Sequence, residues 1–161
     1  MKRSIVIFSG GTGGHVYPGL AVATRLRQMG VTCYWVGTES SLEARVIPEN
    51  GFSFNSIKVK GFRGNGFIRW LTAPLILVQS VLSALRILLC KKPDVVLGMG
   101  GFVSAPGGFA AWIYRCPLII HEQNTIPGLA NRILAYLSSC TLEAYPNTFH
   151  SKFKTIVTGN P

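Results

Sequence analysis

Acidic residues are scarce in this chain: Glu39, Glu43, Glu49, Asp94, Glu122 and Glu143 stand against 16 lysines and arginines, for a net charge of +10. So one-sided a balance favours an anionic partner such as phosphate, nucleic acid or an acidic membrane surface. Aromatics interleaved with Lys and Arg, the usual base-stacking platform, are missing, so nucleic acid is not an expected partner. Charged residues make up only 14% of the chain and hydrophobic ones 48%, which excludes disorder. The length of 161 residues suits one domain with a full core, or one half of a two-domain protein. The four cysteines, Cys33, Cys90, Cys116 and Cys140, form no C-x-x-C pair and have no histidine at ligand spacing. They read as reduced, mostly buried thiols of a cytosolic protein, with no metal site. The apolar run behind Met1-Lys2-Arg3-Ser4 is too short for a signal peptide and reads as a first strand.

Both common nucleotide fingerprints are also absent. Behind the apolar run 5–8 stands Ser9-Gly10-Gly11-Thr12-Gly13-Gly14-His15, with four glycines in five residues. The third glycine of G-x-G-x-x-G is missing, and no Lys follows to complete a P-loop. A nucleotide-dependent oxidoreductase would need that intact pattern and an acid about twenty residues on. What remains is a stripped strand-to-helix turn whose backbone N–H groups are open to a phosphate or sugar-like group, with the dipole of the next helix behind it. The plain alternative is a tight turn with His15 as a cap. A second glycine run, residues 98–108, misses the dinucleotide pattern too, because Val103 stands where the third glycine belongs. In it Ser104 would cap a helix or bond a phosphate oxygen.

Alternating apolar runs and helical patterns predict an α/β fold with a parallel sheet. Strands are expected at 5–8, 32–36, 52–59, 94–97 and 118–120, and helices at 18–29, 39–50, 74–89 and 109–114. Residues 61–66 read as a glycine-rich loop. Pro-Gly-Leu-Ala occurs at 18–21 and again at 127–130, and strand, glycine loop and Pro-Gly recur at 5–23 and 95–111. Three such loops would lie together at the carboxyl ends of parallel strands, where open sheets bind ligands.

The third of them is His121-Glu122-Gln123-Asn124. Four hydrogen-bonding side chains in a row at a strand end are costly unless they serve a site or one another. His15 or Glu122 would supply the tunable base that a hydroxyl needs. A polar knot that merely ties the loops is the other reading. Between Arg69 and Arg86 the apolar stretch is broken by Thr72, Pro74, Gln79, Ser80 and Ser83, making a poor bilayer span. Flanked by Arg63, Arg69, Arg86, Lys91 and Lys92, it reads as a segment lying on an anionic membrane. Its inner face, with Val81, Leu82, Leu85 and Leu88, would cover the sheet, while Phe67, Ile68, Trp70, Leu71 and Leu75 would meet lipid.

The combination of Gly10-Gly11-Thr12-Gly13-Gly14-His15, the 98–108 run, His121-Glu122-Gln123-Asn124 and the closing Gly159-Asn160-Pro161 resembles the MurG family over essentially the whole chain. These are the bacterial N-acetylglucosaminyltransferases that convert lipid I to lipid II in peptidoglycan synthesis. The resemblance implies a Rossmann-like sheet with helices on both faces, the N-terminal half of a GT-B glycosyltransferase. It implies UDP-GlcNAc and lipid I as substrates, inversion at the anomeric carbon, no cofactor, and a peripheral place on the cytoplasmic face of the inner membrane. Thr12, Gly13 and Gly14 would touch the donor and Asn124 its sugar. Gly10, Gly11, Gly100, Gly101 and Ser104 would cradle the acceptor diphosphate. His15 would be the first candidate for the base and Glu122 the second. Family members continue past Gly-Asn-Pro into a donor-binding domain, so residues 1–161 are expected to be the acceptor-binding half and inactive by themselves. A non-catalytic module for anionic lipid or sugar phosphate is the competing expectation.

Overall fold

The computed structural model describes residues 3–59, 67–149 and 153–161, with the backbone alone over 67–73. The strands are β1 (Ser4–Ser9), β2 (Thr32–Gly37), β3 (Ser53–Ser56), β4 (Val95–Gly100), β5 (Leu118–Glu122), β6 (Cys140–Glu143) and β7 (Thr155–Val157). Between them run the helices α1 (Gly13–Gln28), α2 (Leu42–Glu49), α3 (Phe67–Lys91), α4 (Ser104–Tyr114) and α5 (Leu129–Leu134). All seven strands pair in parallel, in the order β3-β2-β1-β4-β5-β6-β7. The order reverses between β1 and β4, opening a crevice at the carboxyl ends of these two strands.

Strand periodicity divides the core in two. Ile5 and Ile7 of β1 face Val16 and Ala23 of α1 and Ile47 of α2, with Trp35, Leu97 and Met99 completing that layer. Val6 and Phe8 face the opposite side, against Ala84 and Leu88 of α3, Ala110 and Ala111 of α4 and Leu134 of α5. A strand covered on both faces has no polar side to show, which is why β1 reads as an unbroken apolar run.

Three helices begin earlier than expected. α1 starts at Gly13 instead of residue 18, α3 at Phe67 instead of 74, and α4 at Ser104 instead of 109. In α4, Pro106 lies in the first turn, where its missing N–H would have had no partner anyway. Pro18 and Pro74 lie inside their helices, so tertiary packing overrides the local cost there. Strand β3 is shorter than the expected 52–59. α5, β6 and β7 had no counterpart among the expected elements. The expected glycine loop at 61–66 lies outside the described residues. The thiols are less buried than expected: Cys116 is buried, Cys33 and Cys140 are partly covered, and Cys90 is exposed on α3. Burial pushes the Cys33 and Cys116 thiols above their ordinary pKa.

Candidate functional site

The ends of β1, β4 and β5 bring the three expected loops to one edge of the sheet. The β1–β4 ladder slips by a residue there: Phe8 pairs with Gly98 but Ser9 with Gly100. That bulge re-aims the ends of both strands. Beyond it Gly100 and Gly101 take left-handed φ values of 101° and 80°. The two glycine turns then meet backbone to backbone, since a Cβ on Gly101 would lie 2.0 Å from the Gly10 carbonyl oxygen. A Cβ on Gly100 would lie 2.8 Å from the His15 ring. These glycines are therefore required by close approach. Gly107 and Gly108 belong to α4 instead, where a Cβ would run into Phe8 and Leu134 respectively.

Buried side chains hold the turns from behind. Glu43 of α2 is fully buried; its carboxylate accepts hydrogen bonds from the N–H groups of Gly11 (3.3 Å) and Thr38 (3.0 Å) and from the Thr38 hydroxyl (3.0 Å). A Cβ on Gly10 would collide with that carboxylate. Ser104 is also fully buried, accepting from Gly100 N–H (2.9 Å) with the Phe8 and Gly100 carbonyl oxygens at 2.9 and 2.7 Å. Its hydroxyl joins β1, β4 and α4 to one another. At the open side, Thr12 is the N-cap of α1 and makes no side-chain capping bond, and nothing lies within 4 Å of a Cβ on Gly11. The first N–H groups of α1 thus keep their capacity to bind a ligand.

His15 stands in the first turn of α1, half-buried, with Nδ1 2.7 Å from Oε1 of Gln123. Across the crevice, Glu122 is 1% exposed and its carboxylate is saturated. Oε1 accepts from the backbone N–H (3.0 Å) and the Nδ2 of Asn124 (2.8 Å), and Oε2 from Gly128 N–H (3.0 Å) and Asn131 Nδ2 (2.9 Å). Four donors on one carboxylate tie the 122–131 segment into a fixed loop. Asn124 itself is exposed at the crevice. His121 is buried, with its ring between Gln123 and the Gly159 carbonyl. Burial pushes its pKa below the ordinary histidine value, against the opposing pull of the Gly159 hydrogen bond and the Glu122 charge.

The glycosyltransferase family 28 N-terminal domain matches residues 5–142. The chain belongs to this family. It is 50% identical over 161 residues to the UDP-N-acetylglucosamine--N-acetylmuramyl-(pentapeptide) pyrophosphoryl-undecaprenol N-acetylglucosamine transferase of Aeromonas hydrophila subsp. hydrophila, covering all of this chain and 45% of the relative. The protein of the same name from Methylococcus capsulatus is 51% identical over 161 residues, with 46% of the relative covered. Among solved structures, Acinetobacter baumannii MurG superposes with a TM-score of 0.85 at 39% identity, over 97% of this chain and 45% of that one. The chain therefore spans less than half the length of these relatives. The fold is the one expected, the Rossmann-like half of a GT-B glycosyltransferase.

Within this family 28 domain, sequence reasoning missed the anchoring roles of Glu43 and Asn131. Asn131 carried no local signal; Glu43 sits in a short helix like any solvated acid. Of the expected lipid-facing residues, Phe67, Ile68, Arg69, Trp70 and Leu71 lie where only the backbone of α3 is described. Leu75 is 66% exposed, and Val78, Leu82 and Leu89 continue an uncovered stripe that Arg86 joins. Leu82 was expected on the inner face; at 49% exposure it belongs to the outer one. Over Pro74–Lys91 this helix is long and apolar enough to cross a bilayer, but Ala84 and Leu88 are fully buried against the sheet. α4 also exposes Trp112 and Ile113, in a hollow lined by Pro117 and Leu137 that the sequence alone did not single out.

Proposed function

We propose that this chain is the acceptor-binding half of an inverting glycosyltransferase. Its enzyme moves N-acetylglucosamine from UDP-GlcNAc to the muramyl 4-hydroxyl of a pyrophosphoryl-undecaprenol acceptor at the cytoplasmic face of the bacterial inner membrane. The observation that carries the reading is His15 held between the two glycine turns and the β5 loop in a family 28 domain. As the acceptor hydroxyl attacks the anomeric carbon, the bond to UDP breaks and the ring of His15 takes the hydroxyl proton. One displacement inverts the centre. Thr12, Gly13, Gly14 and Asn124 line the donor side. The second turn at Gly100 and Gly101, with the start of α1, faces the acceptor diphosphate. A second domain, in keeping with relatives more than twice this length, holds the uridine diphosphate.

Glu122 is assigned a different task. Its carboxylate has no oxygen left for a substrate proton, so it anchors the loop that presents Asn124. In the enzyme that joins this chain to its donor-binding half, His15→Ala should lower kcat by ~100- to 10,000-fold. Transfer to a lipid I analogue is the measurement. A loss of only a few fold would reduce the site to a binding platform and end the assignment of the base.

A further inference from the structure

We infer that Gln123 is the positioning residue that decides which nitrogen of His15 is free to take a proton. Gln123 is buried at the end of β5, and its Nε2 lies 3.2 Å from the backbone carbonyl oxygen of His121. That oxygen can only accept, so the NH2 end of the amide faces His121 and Oε1 faces His15. Oε1 in turn can only accept, at 2.7 Å from His15 Nδ1. The proton of a neutral His15 ring therefore sits on Nδ1, and Nε2, which has no partner among the described residues, keeps its lone pair.

The other end of the chain of contacts agrees independently. Nε2 of His121 lies 3.1 Å from the Gly159 carbonyl oxygen and must carry a proton. A neutral His121 then has a bare Nδ1, which accepts from Gln123 Nε2 at 2.9 Å. Turning the amide round would set its oxygen against the His121 carbonyl and demand a second proton on a buried ring. The sequence of bonds is thus directional: His15 Nδ1–H to Gln123 Oε1, Gln123 Nε2–H to His121 Nδ1, His121 Nε2–H to Gly159. An unconstrained imidazole prefers its proton on Nε2, so the relay holds His15 in its minor tautomer.

The catalytic consequence rests on His15 being the base, whereas the tautomer does not. Two-bond imidazole 15N–1H spectra of the chain, with His15, His121 and His150 assigned by substituting each, read it directly at a pH where the rings are neutral. The expected result is Nδ1–H for His15 and Nε2–H for His121. Gln123→Leu should release His15 toward Nε2–H, and Gln123→Glu, which keeps an acceptor in place, should retain Nδ1–H. In the joined enzyme, Gln123→Leu should cost ~10- to 100-fold in kcat with little change in KM for the acceptor, partly rescued by Gln123→Glu. An Nε2–H ring in the unsubstituted chain overturns the inference even if the Leu variant does not fold. An unchanged tautomer in a folded Leu variant overturns it as well. Finding Nδ1–H beside an active His15→Ala enzyme would keep the relay and sink only the base.

Discussion

At the scale of single residues, His121 is where acid should act first. Burial lowers its pKa in the folded chain, so the unfolded chain binds a proton more readily. Stability must then fall as pH drops below the ordinary histidine value of about 6.5 and keep falling until the folded ring itself titrates. Protonation would also put a second donor against Gln123 Nε2 and break the relay. Thermal melting of the chain between neutral and mildly acidic pH should show a falling Tm, flattened in His121→Gln; identical profiles would dismiss the effect. Three of the six acids are buried as hydrogen-bond hubs: Glu122 and Glu143 as the last residues of β5 and β6, and Glu43 in the first turn of α2. The sequence marked Glu122 because it stands beside a histidine and a strand end. Glu43 had no such neighbours, and its role exists only because α2 folds back under the first glycine turn.

At the scale of elements, the glycines explain what a motif search left open. Neither turn completes a nucleotide pattern because each is shaped by the other, with Gly10 and Gly101 in backbone contact and Gly100 against His15. Gly101→Ala should destabilise the domain by about 2–4 kcal/mol, combining left-handed strain with a collision against unyielding backbone. Gly30→Ala has a similar φ of 82° and open space around it, so only the strain of about 1–2 kcal/mol should appear. Equal losses in chemical denaturation would show that the contact between the turns contributes nothing. The repeated Pro-Gly-Leu-Ala also divides by context: at 18–21 it lies within α1, at 127–130 it runs through Gly128, the N-cap, into α5. Local sequence alone could not separate these roles, since the same four residues have the same propensities in both places.

At the scale of the whole molecule, burying three acids leaves Glu39, Glu49 and Asp94 as the exposed ones, so the surface is more positive than composition suggests. The outer stripe of α3, Leu75, Val78, Leu82 and Leu89 with Arg86 on it, offers an apolar surface with a cationic neighbour. Such a surface should hold the domain on anionic vesicles at low salt and release it as salt rises. Leu75→Glu and Arg86→Glu should each weaken sedimentation with vesicles by roughly 10-fold without changing Tm, because both side chains are exposed. Binding that ignores both substitutions would place the membrane contact elsewhere.

The sequence by itself determined the parallel α/β class, the three loops at the strand ends and the polar residues that the fold gathers there. Apolar runs, glycine turns and a polar tetrapeptide carry that information locally, within a few residues of each signal. Only the tertiary structure distinguishes the surroundings of His15 and Glu122: four donors occupy the Glu122 carboxylate, while Nε2 of His15 has no partner among the described residues. It alone showed Ser104, a candidate diphosphate contact, and Glu43, which the sequence did not single out, to be internal joints. Hydrogen-bond saturation is a property of groups brought together from distant parts of the chain, such as His15 and Gln123, and no local pattern encodes it.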